Sequence, residues 1–234
     1  MEYISSSMGT ESLETECAKA EAILQAMLTT QTGCGPTPDV LKNCVGLAFL
    51  RINKAGLLVT GSYGTGVVVV RRGADGAPCR GGAWSHPSAI SSKSVGSGVQ
   101  AGAQVLESLV VINTPEAVEA FVGGSLMLGT ALEMAVGPTG TGGEIPGCAG
   151  EGLVDEVPCY AYALSSGLFA GISLEGVVLN ELSATNAAFY GAAVEGRRIL
   201  DGTAALPAAL APVDRLHAAL AAMESLWAPA TAPQ

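Results

Sequence analysis

Charge and aromatic rings are scarce in this chain. Of its 234 residues only 14% are Asp, Glu, Lys or Arg, and only 5% are Phe, Trp or Tyr. With 49% hydrophobic residues, this composition excludes a disordered chain, because there is enough apolar surface to offset the entropy of ordering the backbone. Long apolar runs are also missing. Stretches such as "VGLAFL" and "LVVI" are strand-sized, well short of the roughly 20 residues that carry a helix across a bilayer. The start, "MEYISSSMGTESLE", has no basic segment followed by an apolar one, so no secretory leader is expected. Glu2 rules out the myristoylation pattern, and the end "TAPQ" is no prenylation box. A cytoplasmic address is the expectation.

Metal and catalytic chemistry are thin. Cys17, Cys34, Cys44, Cys79, Cys148 and Cys159 include no C-x-x-C pair, and His86 and His217 are far apart in sequence. That spacing predicts no zinc site and buried, reduced thiols. There is no G-x-S-x-G elbow and no H-E-x-x-H. His86 precedes Pro87, which biases it to extended backbone and a strand-end role. Asp155 and Glu156 sit in a Gly/Pro/acid stretch, where solvated charge is the default. No enzymatic activity and no cofactor are expected.

Glycine, by contrast, is abundant, with 31 residues. "GSYGTG" at 61–66 resembles a phosphate loop only at first sight. A dinucleotide fingerprint runs G-x-G-x-x-G into a helix, and a Walker loop ends in G-K-[ST]. Here the order is G-x-x-G-x-G and four valines follow, which read as a buried strand. The stretch is expected to be a tight turn or bulge entering that strand, where a missing side chain permits sharp bending or close backbone approach.

The net charge of −10 argues against a nucleic-acid binder, but it is unevenly distributed. Residues 40–106 carry Lys42, Arg51, Lys54, Arg71, Arg72, Arg80 and Lys93 against Asp75 alone, a local excess of +6. Such a segment can attract anions on an otherwise acidic body. The basic residues need not converge. In an extended strand Arg51 shares a face with Leu47 and Phe49, Lys54 falls on the other side, and Arg71 and Arg72 diverge.

Apolar spacing sets out the elements. At 11–28, Leu13, Cys17, Ala20, Leu24, Met27 and Leu28 recur at helical steps. Thr10 is the expected cap, and Glu11, Glu14, Glu16 and Glu21 face Lys19 alone on the polar side. Thr37-Pro38 and Thr114-Pro115 each pair an N-cap with a first-turn proline. They predict short helices through about Asn43 and over "PEAVEAFV". Strand-like pieces run from Gly46: "GLAFLRIN", "GLLVTG", "TGVVVVRR", "AWSHPSAI", "GVQAGAQV", "SLVVIN" and "SLMLGTALEMAVG". Residues 137–158 read as a long loop. Beyond it "CYAYALS" and "GLFAGISLEGVVLNEL" read as strands, and "ATNAAFYG", "VEGRRILDG" and "PVDRLHAALAAMESLW" as helices.

Strands follow one another across short turns, which favours antiparallel pairing. The fold class is α+β. A glycine-rich antiparallel sheet, open or barrel-like, carries an N-terminal amphipathic helix and C-terminal helices packed on it. One domain is expected over 11–227, with flexible ends at 1–10 and 228–234.

The ordered set K-A-G, G-x-G, W-S-x-P-S-A-I, L-N-T-x-E-A-V-x-A-F, A-V-G-P, G-L-F-A-G-x-S-L-E-G and N-x-x-F-Y-G is very specific. The chain supplies it through "NKAGLLVTGSYGTG", "WSHPSAI", "INTPEAVEAF", "AVGPTG", "GLFAGISLEG" and "NAAFYG", reading I for the leucine of the fourth motif. From about residue 13 to 220 the chain resembles the SYLF domain family, also called Ysc84 actin-binding-like or DUF500. The resemblance implies a non-enzymatic module that binds phosphoinositides and anionic membrane. It also implies, for some eukaryotic members, binding and bundling of actin filaments at endocytic sites. Relatives often carry a Src-homology-3 or FYVE-type domain; neither is seen here, so a stand-alone member, peripheral at a membrane or the cell cortex, is expected.

In some relatives lipid binding uses an N-terminal amphipathic helix. Here Leu13, Cys17, Leu24, Met27 and Leu28 are the matching stripe, but its polar face is acidic, unlike helices that lie on anionic lipid. Packing of the stripe on the sheet is the favoured reading. The better lipid candidates are Lys42, Arg51, Lys54, Arg71, Arg72, Arg80 and Lys93. Lys54 stands at the family's K-A-G position, where a structural role is equally open. Trp84 is expected to be a core anchor more than a membrane-inserting ring. The alternative to lipid binding is an actin-filament-binding module alone.

Overall fold

The structure, a computed structural model, describes residues 11–29, 35–122, 126–141, 145–146, 159–205 and 210–226. The expected flexible ends at 1–10 and 228–234 lie outside these residues, as do Cys34, Cys148 and most of the expected 137–158 loop.

Helix α1 (Leu13–Thr29) opens the described chain. Thr10, the expected cap, lies outside the described residues. Ser12 takes the cap position, its hydroxyl accepting the Thr15 amide at 3.3 Å, as an N-cap serine does for the third helical residue. The Thr-Pro starts hold: α2 is Pro38–Asn43 and α3 is Pro115–Val122. At α3 the Thr114 hydroxyl accepts the Ala117 amide at 3.3 Å; at α2 Thr37 makes no side-chain cap and the proline alone pre-sets the turn.

The strands depart most from expectation. Where sequence patterning breaks the chain into short pieces, the structure has three very long strands: β1 (Gly46–Arg72), β3 (Ser88–Ile112) and β6 (Cys159–Glu181). With β2 (Ala83–Trp84) and β4 (Leu126–Thr141) they form an antiparallel sheet of order β2-β1-β3-β6-β4, and β5 (Ile145–Pro146) pairs with β6. Residues 137–141 of the expected loop are therefore strand. The pairing runs nearly without interruption from Gly46↔Ile112 to Val68↔Ser88 and from Ile90↔Glu181 to Ile112↔Cys159. The sheet is antiparallel and not closed, so the α+β reading holds.

A straight strand of 27 residues would reach about 90 Å at ~3.3 Å per residue. β1 instead doubles back at Leu57–Val59, where its register against β3 shifts and Leu58 takes φ +60°. The two ends of β1 then meet: the Arg71 amide donates to the Val45 carbonyl at 2.7 Å. The second half of "GSYGTG" lies where the returning limb presses on the outgoing one. A Cβ on Gly64 would stand 2.8 Å from the Arg51 carbonyl oxygen, and one on Gly66 would overlap that of Phe49. The stretch is thus continuous strand, and Gly64 and Gly66 serve close backbone approach, not a turn.

Both ends of β1 therefore contribute to the same cores. On one face Leu47, Phe49, Val67 and Val69 pack with Leu13, Cys17, Leu24 and Met27 of α1 and with Leu216, Leu220 and Met223 of α6 (Ala211–Ser225). On the other, Ala48, Leu50, Val68 and Val70 pack with Ala117, Val118 and Phe121 of α3 and with Leu200 of α5 (Gly196–Leu200). Each fully buried large aliphatic side chain contributes roughly 1.5–3 kcal/mol. α4 (Ser183–Tyr190) ends on Gly191 in the left-handed region and places Tyr190 in the first core. The helices thus cover the end of the sheet where the strand termini gather, and the bend of β1 points away from them.

Candidate functional site

The seven basic candidates separate by position along the sheet. Arg71, Arg72, Lys42 and Arg80 lie at the helix-covered end, and Arg51, Lys54 and Lys93 on the ribbon running toward the bend.

At the helix-covered end the two arginines of β1 are held by the fold. Arg71 is buried; its Nη2 lies 2.8 Å from Oε1 of Glu224 on α6, and its Nη1 donates to the Lys42 carbonyl at 3.3 Å. Its guanidinium carbon stands 4.6 Å from the Trp84 ring centroid, and Trp84 Nε1 donates to that same Glu224 oxygen at 2.9 Å. Trp84 is half-buried against the first core, so it anchors β2 to α6. Arg72 is half-buried, with Nη1 3.4 Å from the Asp201 carbonyl and its guanidinium against Gly202. Lys42 and Arg80 are exposed. Arg71 and Arg72 diverge, as strand alternation requires.

On the ribbon, Arg51 and Lys93 are exposed and Lys54 is buried opposite Gln104. Arg51 stands directly across from Glu107. Lys93 stands across from Tyr63, its Nζ 6.0 Å from the ring centroid. β1 carries no carboxylate, and β3 carries only Glu107. The ribbon leads to a cluster of large exposed apolar side chains at the bend: Leu57, Leu58 and Val59, with Val95 on the neighbouring strand.

The N-terminal stripe is turned inward. Leu13, Cys17, Leu24 and Met27 are buried and Leu28 is half-buried against the same core. In this structure α1 packs by that face onto the sheet and presents its acidic residues outward, with one exception. Glu16, expected on the polar face, is buried at 1% exposure. Its Oε1 accepts the Thr65 hydroxyl at 2.7 Å and Lys19 Nζ at 3.4 Å, and Lys19 also bridges Glu11 at 2.6 Å. Oε2 of Glu16 is buried without a hydrogen-bond partner. The helical wheel contains the signal, since Glu16 falls between Ile23 and Met27 on the buried side.

A second polar cluster, also not foreseen, links the β2–β3 connection to α4 and α6. The Tyr190 hydroxyl donates to the Pro87 carbonyl at 2.7 Å, and Nε2 of His217 stands 2.8 Å from the Ser85 carbonyl. The His86 ring lies edge-on between them, 6.3 Å from Tyr190 and 6.1 Å from His217. Burial, then the fields of His217 and Arg72, hold the His86 pKa below 6.5. Burial likewise pushes the Tyr190 hydroxyl far up. The thiols of Cys17 and Cys44 are pushed up to about 12 and about 11, chiefly by burial, so neither is a nucleophile at neutral pH. Among the described residues, Cys17, Cys44, Cys79 and Cys159 form no disulfide with one another. Among the described residues no three His, Cys, Asp or Glu side chains gather to hold a metal, and no helix is long and apolar enough to cross a membrane.

The family model described as "Ysc84: Las17-binding protein actin regulator" matches residues 93–223. Among curated relatives, the chain is 36% identical over 210 residues to "SH3 domain-containing protein PJ696.02" of Schizosaccharomyces pombe, covering 88% of this chain and 47% of that protein. It is 35% identical to "Protein YSC84" of Saccharomyces cerevisiae, with 88% and 43% covered. It is 38% identical over 201 residues to the human "SH3 domain-containing YSC84-like protein 1", with 84% and 56% covered. The chain thus spans about half the length of these relatives. Among solved structures, the virulence-associated protein VapD from Rhodococcus equi aligns at a TM-score of 0.34 and 13% identity over 58% of this chain and 96% of that one, too distant a likeness to bear on the fold.

Proposed function

Because the chain belongs to the Ysc84 (SYLF) family, we propose that it is a non-catalytic actin-regulatory module that works against an anionic, phosphoinositide-bearing membrane surface. The actin half of this reading is supported by the family description and by relatives such as "LAS seventeen-binding protein 3". On this reading the chain works beside actin regulators at the cell cortex, on the cytoplasmic side of a membrane, in endocytosis or cortical organisation.

The membrane half is supported by one observation: the β1–β3 ribbon exposes Arg51 and Lys93 and carries a single carboxylate, Glu107, across from Arg51. Each such cation near an anionic surface is worth about 1 kcal/mol, so two of them supply weak, salt-sensitive attachment. Lys42 and Arg80, exposed at the other end, offer the same charge on a different part of the molecule. Arg71 is spent on Glu224 and Trp84 and holds the fold together.

Flotation with phosphoinositide-containing vesicles, run beside co-sedimentation with actin filaments, tests both halves. Lipid-dependent flotation that falls with salt is expected, together with filament binding. Arg51→Glu/Lys93→Glu should reduce flotation more than Lys42→Glu/Arg80→Glu. A second reading, filament binding with no lipid role, is favoured by family descriptions that name actin and Las17 and no lipid. Co-sedimentation without flotation at low salt would select it, and failure of both assays would sink the proposal.

A further inference from the structure

We propose that the bend of β1 is a bilayer-insertion tip: Leu57, Leu58 and Val59 enter the acyl boundary of an anionic membrane while Tyr63 and Lys93 sit at headgroup level. This rests on the membrane reading above and assigns its contact surface.

The tip is apolar where no described residue covers it. Leu57 is 72% exposed, Leu58 60%, Val59 61% and, one strand over, Val95 68%. Apolar side chains gathered at one protruding end mark an interaction surface more than scattered exposure does. The backbone at the same place is strained. Leu58 has φ +60° and is the one non-glycine residue at positive φ among the described residues; the others in that region are glycines. A leucine there is costly, glycine would be free of the cost, and a side chain left 60% exposed gains little packing within the chain. Strain retained for so little internal gain points to use outside the molecule.

The flanks fit an anionic lipid surface and not merely an apolar one. The pairing sets Val59 opposite Ser97, Gly61 opposite Val95 and Tyr63 opposite Lys93, so alternate positions put Val59, Val95, Tyr63 and Lys93 on one side of the ribbon. Tyr63 follows Val59 by about 13 Å of strand at ~3.3 Å per residue. With the tip about 5–10 Å into the headgroup–acyl boundary, the phenol and ammonium fall at the level where amphipathic rings and snorkelling lysines reside. The nearest acidic position in β3, Glu107, is set opposite Arg51, well back from the tip. On β6, which neighbours β3, the register places Glu175 opposite Gly96, a position out of step with Val95 and Lys93, so alternation assigns it to the other face of the ribbon. The bend also points away from α1 and α6, and nothing described in the fold blocks its approach to a surface.

Vesicles of phosphatidylcholine with phosphatidylserine, and of phosphatidylcholine alone, are floated with the full chain, with Leu57→Ser/Val59→Ser and with Leu58→Gly. The expected result is flotation of the unaltered chain with the anionic vesicles and a loss of at least ten-fold in partitioning for the double variant. Leu58→Gly should lose several-fold in partitioning and melt at or above the temperature of the unaltered chain, because glycine relieves the strained φ. A Leu58→Trp variant should be quenched by brominated acyl chains beyond the background of Trp84 and Trp227. Flotation of the unaltered chain with equal flotation of all tip variants overturns the tip and leaves the membrane reading standing. No flotation of the unaltered chain at low salt, with these vesicles or with phosphoinositide-containing ones, overturns both. A fall from dimer to monomer in the double variant by light scattering, without a change in flotation, shows instead that the tip meets a second copy.

Discussion

The Thr65 hydroxyl donates a 2.7 Å hydrogen bond to Oε1 of Glu16, joining the glycine-rich centre of β1 to the first helix across 49 residues of chain. Both residues are buried, and the second oxygen of Glu16 has no hydrogen-bond partner. Losing the hydroxyl therefore strips a buried carboxylate of its shortest donor. Thr65→Val should cost about 1–3 kcal/mol in denaturant unfolding. Replacing both groups, as in Thr65→Val/Glu16→Leu, should cost less than the sum of the single changes, since no orphaned polar atom remains. Additive losses in this cycle would show that the two residues act independently.

The same stretch offers an internal contrast. A Cβ on Gly66 would overlap the Phe49 carbonyl oxygen, whereas one on Gly61 would meet nothing within 4 Å. Gly66→Ala should destabilise by about 1–3 kcal/mol or more, because backbone must shift to admit the methyl group. Gly61→Ala should be close to neutral, since an unstrained alanine restricts the unfolded chain without cost to the fold. Equal melting temperatures for the two variants would mean that the limbs of β1 do not approach as closely as described.

How far the sequence foretells this architecture depends on which physical signal each element carries. The short helices α2 and α3 are legible because Thr-Pro fixes their first turns locally. The continuity of β1 is not, because Gly, Ser and Thr between "GLLV" and "VVVV" are ordinary turn formers, and only pairing with β3 and the return limb explains them. Burial of α1's stripe is legible from its spacing and its acidic polar face. Glu16 and Arg71 are not, because charged side chains default to the surface. Yet Arg71 shares the strand parity of Val67 and Val69, which is the face that α1 and α6 cover. Arg51 has the parity of Leu47 and Phe49 and is exposed all the same, since the helices cap only one end of the sheet. Parity names the face; only the tertiary structure says how far along the strand that face is covered.

Arg71 and Glu224 form an unequal pair. Side-chain exposure is 6% for the arginine and 41% for the glutamate, so the two changes that break the pair should differ. Glu224→Ala leaves a buried guanidinium and the Trp84 Nε1–H without their acceptor. Arg71→Met leaves a carboxylate that can turn to water, and a side chain that still packs on Trp84. With screening at the exposed partner, Glu224→Ala should cost about 1–2 kcal/mol and Arg71→Met less. Thermal unfolding of both variants checks the order, and the reverse order would mean that the cation–π contact outweighs the ion pair.

Acid should loosen the connection between β2 and β3. His86 lies against His217 and Tyr190, with Arg72 and Asp214 also in its field. Burial, the neighbouring histidine and Arg72 hold its pKa below the ordinary 6.5, while Asp214 opposes them. The folded state therefore binds fewer protons at this site than the unfolded chain between the lowered pKa and 6.5. The stability His86 contributes is present in full above pH 6.5 and is lost as pH falls through that window. His86→Gln removes the titration and keeps a polar side chain of similar reach. The melting temperature of the unaltered chain should fall more steeply between pH 7 and pH 5 than that of His86→Gln, with the two curves parallel above pH 7. Parallel curves throughout would show that His86 charges without cost and that the acid sensitivity of the fold lies elsewhere.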